Sequence, residues 1–195
     1  MNNEYQFVTN WRIRGEREEI AQILAEPEHL TAWWPSVYLQ VTELRAGEGE
    51  WDIGRVIGLH TKGWLPYTLR WQFEITEVVW PERFVLEAAG DFNGVGVWVF
   101  EQDGDMVNVT YDWRIRADKP LLKYGSVVLK PFFRANHHWA MEKGLASLKL
   151  ELARRRAATA EERAQIPAPP LGTSPWLVLG GLGLLLALIY WWWRD

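Results

Sequence analysis

Eighteen consecutive residues near the C-terminus, WLVLGGLGLLLALIYWWW at 176–193, carry no charge. No other feature constrains the chain as strongly, because a soluble core does not easily absorb a fully apolar helix with aromatic residues at both ends. As a helix at 1.5 Å per residue the run spans roughly 27 Å, close to the ~30 Å thickness of a hydrocarbon core. Ser174 and Pro175 read as an N-cap followed by proline at the first helical position. Trp176 at one end and Tyr190 to Trp193 at the other match the aromatic belts of membrane interfaces. The sequence therefore predicts a single-pass C-terminal transmembrane helix at 176–193, making the membrane a partner. Arg154, Arg155, Arg156 and Arg163 precede this span and only Arg194 follows it. The positive-inside rule then places the N-terminal part in the cytoplasm. The start, MNNEYQFVTNW, lacks the basic region and apolar run of a secretory signal.

Upstream of the tail, IPAPPLGTSP at 166–175 reads as a Pro-rich linker, extended and semi-rigid. Residues 1–165 suit one domain. There is no cysteine, so disulfides, thiolate metal sites and a cysteine nucleophile are excluded. The net charge is −4, and it is unchanged when Arg194 and Asp195 are set aside. Such a domain has no basic footprint for nucleic acid. Of the 14 tryptophans, four lie in the tail. The others are numerous for a domain of this size, and they either fill a core or line a pocket.

The period of the apolar residues sets the element order. Tyr5, Phe7, Thr9, Trp11 and Ile13 alternate with polar residues, as in a half-buried strand. Ile20, Ile23 and Leu24 have helical spacing, and Glu28 to Trp34 reads as a second short helix. Strands follow at 37–45, 54–62, 67–75, 83–90, 95–100 and 107–116, with Asp103-Gly104-Asp105 as a hairpin signal. Val95 to Phe100 is apolar on both faces, as expected of a central or covered strand. Gly94 and Gly96 read as relief for bending or close packing. A long helix closes the domain, beginning near Lys119, broken or kinked at Pro131 and running to about Arg163. Phe133, His137, Ala140, Met141, Gly144, Leu148 and Leu152 form its apolar stripe. This order predicts an α+β fold: a curved antiparallel sheet of about seven strands wrapped on a long C-terminal helix, with two short helices after strand 1.

Two segments resemble a known group. ILAEPEHLTAWWPSV at 23–37 is similar to the helix pair ending in a Trp-Trp-Pro signature in the polyketide cyclase/dehydrase and lipid-transport families of the START-like (SRPBCC, helix-grip) superfamily. PFFRANHHWAMEKGLASLKLEL at 131–152 resembles the closing helix of those families, with its Asn-His pair and later Gly-Leu. The likeness covers about 1–155. It implies the helix-grip fold and a cavity between sheet and helix. The transmembrane tail departs from the soluble carriers of the group.

Trp33, Trp34, Trp64, Tyr67, Trp71, Trp98, Tyr111 and Trp113 are the expected pocket wall, together with Phe133, His137 and Met141 from the closing helix. Asn136 and Arg70 are further polar candidates, although Arg70 falls on the outer face of its strand. Trp51 and Trp64 lie on loops, where they could instead touch a bilayer. Adjacent helix residues diverge by about 100°, so His137 and His138 do not share one site. His137 and Tyr111 are the candidates for acid/base catalysis. The histidines at 29, 60, 137 and 138 form no metal-ligating cluster, and no nucleotide-binding motif occurs; neither a metal nor a cofactor is expected. Three functions stay open. The first is a membrane-anchored binding domain for a lipid or other hydrophobic small molecule. The second is a cyclase/dehydrase-like enzyme using the same cavity. The third is a membrane-anchored interaction domain using the charged stretch Glu151–Glu162.

Overall fold

The computed structural model describes residues 4–117 and 126–172. Strand β1 (Glu4–Arg14) leads to helix α1 (Arg17–Ala25), a 3-10 turn (Pro27–His29) and helix α2 (Leu30–Trp33). Strands β2 (Tyr38–Arg45), β3 (Val56–Lys62), β4 (Thr68–Val79), β5 (Arg83–Gly90), β6 (Phe92–Asp103) and β7 (Met106–Ala117) follow. Helix α3 (Ser126–Arg156) and the short helix α4 (Ala160–Gln165) complete the order. The strands form one seven-stranded sheet in the order β1-β7-β6-β5-β4-β3-β2, with every neighbouring pair antiparallel.

Alternation along the strands builds the inner face. In β1, Tyr5, Trp11 and Ile13 are buried while Gln6, Asn10, Arg12 and Arg14 are exposed. In β7, Val107, Val109, Tyr111, Trp113 and Ile115 are all buried. Register places Phe7 opposite Trp113 and Thr9 opposite Tyr111, so the aromatic rows of both strands share that face. In β6, Gly96, Trp98 and Phe100 point inward. The strand sits inside the sheet as expected, and among the described residues it is not covered on both sides. Val95 on its outer face is 37 % exposed. Its outward valines suit the backbone of a pleated sheet, as β-branched residues do.

Helix α3 also corrects the expectation. It passes through Pro131 unbroken and ends at Arg156 rather than near Arg163; Lys119 lies outside the described residues. Thr159 ends the run. Its backbone is extended and its hydroxyl accepts the Glu162 N–H at 3.1 Å, which caps a new helix, α4. The second short helix is likewise divided into the 3-10 turn and α2.

The base of the domain is closely packed. Ile20, Ala21 and Ile23 of α1 and Leu148 and Leu152 of α3 are buried in one core with Trp11, Ile13 and Trp33. Ion pairs Arg156–Glu19 and Arg155–Glu26 tie α3 to α1 and to the residue that ends it, and Arg154 donates to the Pro167 carbonyl. The charged stretch expected as a contact surface is thus largely used within the domain. The linker returns along the domain as far as Gly172, where a side chain would meet Lys62 Cε at 2.7 Å and the Ser36 carbonyl at 3.0 Å. The expected transmembrane segment 176–193 lies outside the described residues. Among the described residues, no helix is long and apolar enough to cross a membrane.

Candidate ligand cavity

The two halves of α3 do different work. Met141, Gly144, Leu148 and Leu152 pack into the core, whereas Phe133 and His137, nearer the N-terminal end, are only half-buried. Between that end and the sheet lies a partly open cavity of about 130 Å³. Strand alternation supplies its wall: Tyr5 and Phe7 from β1, Leu69 and Trp71 from β4, and Tyr111, Trp113 and Ile115 from β7. Phe133, His137, Ala140 and Met141, at helical spacing on one face of α3, form its roof. Trp34 forms one end. Its ring lies so close to α3 that any side chain at Gly144 would collide with it.

The rings hold one another in place. Trp71 lies 5.6 Å from Trp113 and 5.8 Å from Phe92, and Tyr111 lies 5.7 Å from Trp113. Trp71 Nε1 donates to Thr61 Oγ1 at 3.0 Å, which anchors the indole to β3. Asn136 ties α3 to the loop that follows β3. Its Oδ1 accepts the N–H groups of Trp64 at 2.9 Å and Leu65 at 3.3 Å. Gly63 makes this approach possible, since a Cβ there would overlap Asn136.

Polar groups are few. The His137 ring stacks on Phe7, with centroids 4.4 Å apart, and its Nε2 lies 3.4 Å from Thr9 Oγ1. Burial, aided by the neighbouring His138, pushes its pKa down to about 4, so it is neutral at pH 7. Burial raises the Tyr111 hydroxyl well above its ordinary value, with Tyr38 adding to the effect. Tyr67 is pushed up to about 12 by burial and then by Tyr5. Among the described lining residues, Lys62 is the charged side chain. The cavity can therefore enclose an apolar body and offer it neutral phenol, imidazole and amide groups. Among the described lining residues, neither His137 nor Tyr111 is poised to exchange a proton near neutral pH.

Of the residues expected in the wall, Trp34, Tyr67, Trp71, Tyr111, Trp113, Phe133, His137 and Met141 line this cavity. Three do not. Trp33, the last residue of α2, is 1 % exposed and belongs to the core. Trp98 faces a separate concavity. Trp64 is half-buried on the loop, held by its backbone rather than presented to the cavity. Arg70 is exposed on the outer face, with its N–H bonded to Asp91 at 2.8 Å. The lining residues Tyr5, Phe7, Val37, Tyr38, Leu69 and Phe92 were not singled out by the sequence. Inward alternation marked Tyr5 and Phe7 as buried, but only the pairing of β1 with β7 places them under α3. Among the described residues, no group of three metal-ligating side chains comes together.

No protein-family model and no curated protein matches the chain. Solved structures do match. A protein from Thermus thermophilus aligns with a TM-score of 0.63 at 16 % identity, over 78 % of this chain and 100 % of its own. The Zhui aromatase/cyclase from a Streptomyces species aligns with a TM-score of 0.61 at 16 % identity, over 80 % and 98 %. A START superfamily protein from Mycobacterium smegmatis aligns with a TM-score of 0.61 at 12 % identity, over 75 % and 96 %. Identities this low speak for the fold alone. By that measure the chain has the helix-grip fold of the START-like superfamily.

Proposed function

We propose that this chain is a membrane-tethered binding domain for a neutral lipid or other hydrophobic small molecule, held in the aromatic cavity between α3 and the sheet. The observation that carries the reading is the cavity itself. The interior does not collapse where α3 leaves the sheet, and the space is walled by Trp34, Trp71, Tyr111 and Trp113. Similar folds in an aromatase/cyclase and a START superfamily protein support it. In this reading residues 1–165 are the binding domain, 166–175 the linker and 176–193 the transmembrane anchor, with the domain on the cytoplasmic side. A cavity of about 130 Å³ is near the size of an apolar cavity that takes one benzene ring. It fits a single ring or the end of an acyl chain. A larger ligand has to displace a wall ring.

The cyclase/dehydrase alternative uses His137 and Tyr111. It is the weaker reading, because neither group titrates near neutral pH. The test is mass spectrometry of organic extracts from the full chain purified in mild detergent. A bound apolar molecule is expected, and Trp113→Ala should reduce its occupancy. An extract identical to the empty-detergent control would overturn the proposal.

A further inference from the structure

A second concavity opens beyond Trp98. It lies between the inner faces of β4, β5 and β6 and the end of α1 with its 3-10 turn, and its volume is about 520 Å³. That is within the range of small-molecule sites. Phe73, Phe84, Leu86 and Trp98 form an apolar floor. At the mouth, Trp51 from the β2–β3 loop stacks on Trp80, with centroids 5.0 Å apart and planes at 15°. Trp80 stacks in turn on Phe84 at 5.9 Å and 16°. Three nearly parallel rings therefore run from rim to floor, and Trp51 keeps 37 % of its surface exposed.

The rim carries an excess of negative charge. Glu26, Glu28, Glu50 and Asp52 line it. Arg55 is shared among Glu28 at 3.4 Å, Glu43 at 2.7 Å and Asp52 at 3.4 Å, so one guanidinium serves three carboxylates. Glu26 is matched by Arg155, and His29 Nε2 lies 3.9 Å from the same carboxylate oxygen. Glu50 has no ion-pair partner among the described residues. The cavity under α3 has the opposite character, with Lys62 as its charged lining group.

We infer that this second concavity binds a small organic ammonium ion with an apolar body. The body rests on the Phe84–Trp98 floor. The cation sits between the Trp51 ring and the rim carboxylates, where ring quadrupole and negative charge act in the same direction. A hydrated metal ion gains nothing from the ring ladder, a neutral amphiphile leaves the rim charge unused, and an organic anion is repelled.

Isothermal titration of the full chain in detergent micelles tests this, with phenyltrimethylammonium as probe and benzenesulfonate as its anionic counterpart. The ammonium should bind at least about tenfold more tightly than the sulfonate. Trp51→Ala should weaken it about fivefold or more without changing the circular dichroism spectrum. Glu50→Gln should weaken it less, and that difference should shrink as salt rises. Equal binding of the two probes would overturn the inference. So would unchanged affinity in Trp51→Ala, or binding that survives Trp51→Ala but is lost in Trp113→Leu, since the last result would move the ammonium to the other cavity.

Discussion

The indole of Trp98 lies flat on the ring of Tyr111, with centroids 3.9 Å apart and planes at 13°. Tyr111 lines the cavity under α3, and Trp98 lines the larger concavity beyond it. The stacked pair is thus a two-ring wall between two spaces of different chemistry. On one side the polar groups are neutral and the nearby charge is positive. On the other the rim is acidic. The sheet supplies both sides, because β6 and β7 pair with Trp98 directly opposite Tyr111.

Trp98→Ala should join the two spaces. Trp98 is 8 % exposed, so its loss removes a buried ring as well as the wall. The expected destabilisation is about 3–5 kcal/mol, read as a lower urea midpoint. The surviving folded protein should co-purify with larger apolar molecules than the parent chain does. A mutant that loses stability but keeps the same bound species would show that the ring fills core without limiting the cavity.

Gly144 stands in the middle of α3 against the Trp34 indole. In an exposed helix, replacing glycine with alanine gains up to about 1 kcal/mol. Here the added methyl collides with the ring edge, and Trp34 is buried with little room to shift. Gly144→Ala should therefore destabilise the domain by about 1–3 kcal/mol, as overpacking does. Chemical denaturation would measure it. Pairing the change with Trp34→Leu should recover part of the loss, giving a coupling energy that a simple helix-propensity effect would not produce.

Much of this arrangement is legible in the sequence, and the illegible parts share a cause. Period-two alternation identifies β1, β4 and β7 and their inward residues, because one face is buried and the other is wet. In β6 it places the strand inside the sheet but cannot tell which face is inner, because Val95, Val97 and Val99 are apolar on the outward side too. The Trp33-Trp34 pair shows the limit at the site. Both belong to the same local pattern, yet only Trp34 meets the cavity, since α2 ends at Trp33 and Trp34 leaves it with a non-helical backbone. Tyr5 and Phe7 were legible as buried. Their place in the wall depends on a pairing with β7 more than a hundred residues away, which no local pattern encodes. Trp98 and Tyr111 alternate cleanly, but nothing in either strand says that the two rings face opposite spaces.

His137 makes stability depend on pH. Its folded pKa, about 4, lies below the ordinary value of 6.5, chiefly because burial disfavours the charged ring. The unfolded chain therefore takes up a proton near pH 6.5 that the folded chain refuses until about pH 4. The contribution of His137 is fully present above the unfolded value and is lost as the pH falls through this window. The loss is on the order of 2–3 kcal/mol. Urea midpoints at pH 7 and pH 4.5 should differ by more in the parent than in His137→Phe, which keeps a ring on Phe7 but has no proton to gain. Parallel curves for the two proteins would show that His137 titrates normally.

Asn136 should control the rim of the cavity under α3. Two backbone N–H groups, from Trp64 and Leu65, converge on its Oδ1, which also identifies that atom as oxygen rather than nitrogen. Asn136→Ala removes the acceptor and frees the loop from α3, at a cost of about 1–3 kcal/mol if both donors remain out of water. Asn136→Asp retains an oxygen at that position and should restore most of the loss. Hydrogen exchange is the discriminating measurement. The Trp64 and Leu65 amides should exchange faster in the alanine variant, while those of buried β7 residues such as Val107 and Val109 stay protected. If the loop amides are equally slow in both variants, the loop is held by other contacts and the Asn136 bridge does not set the shape of the opening.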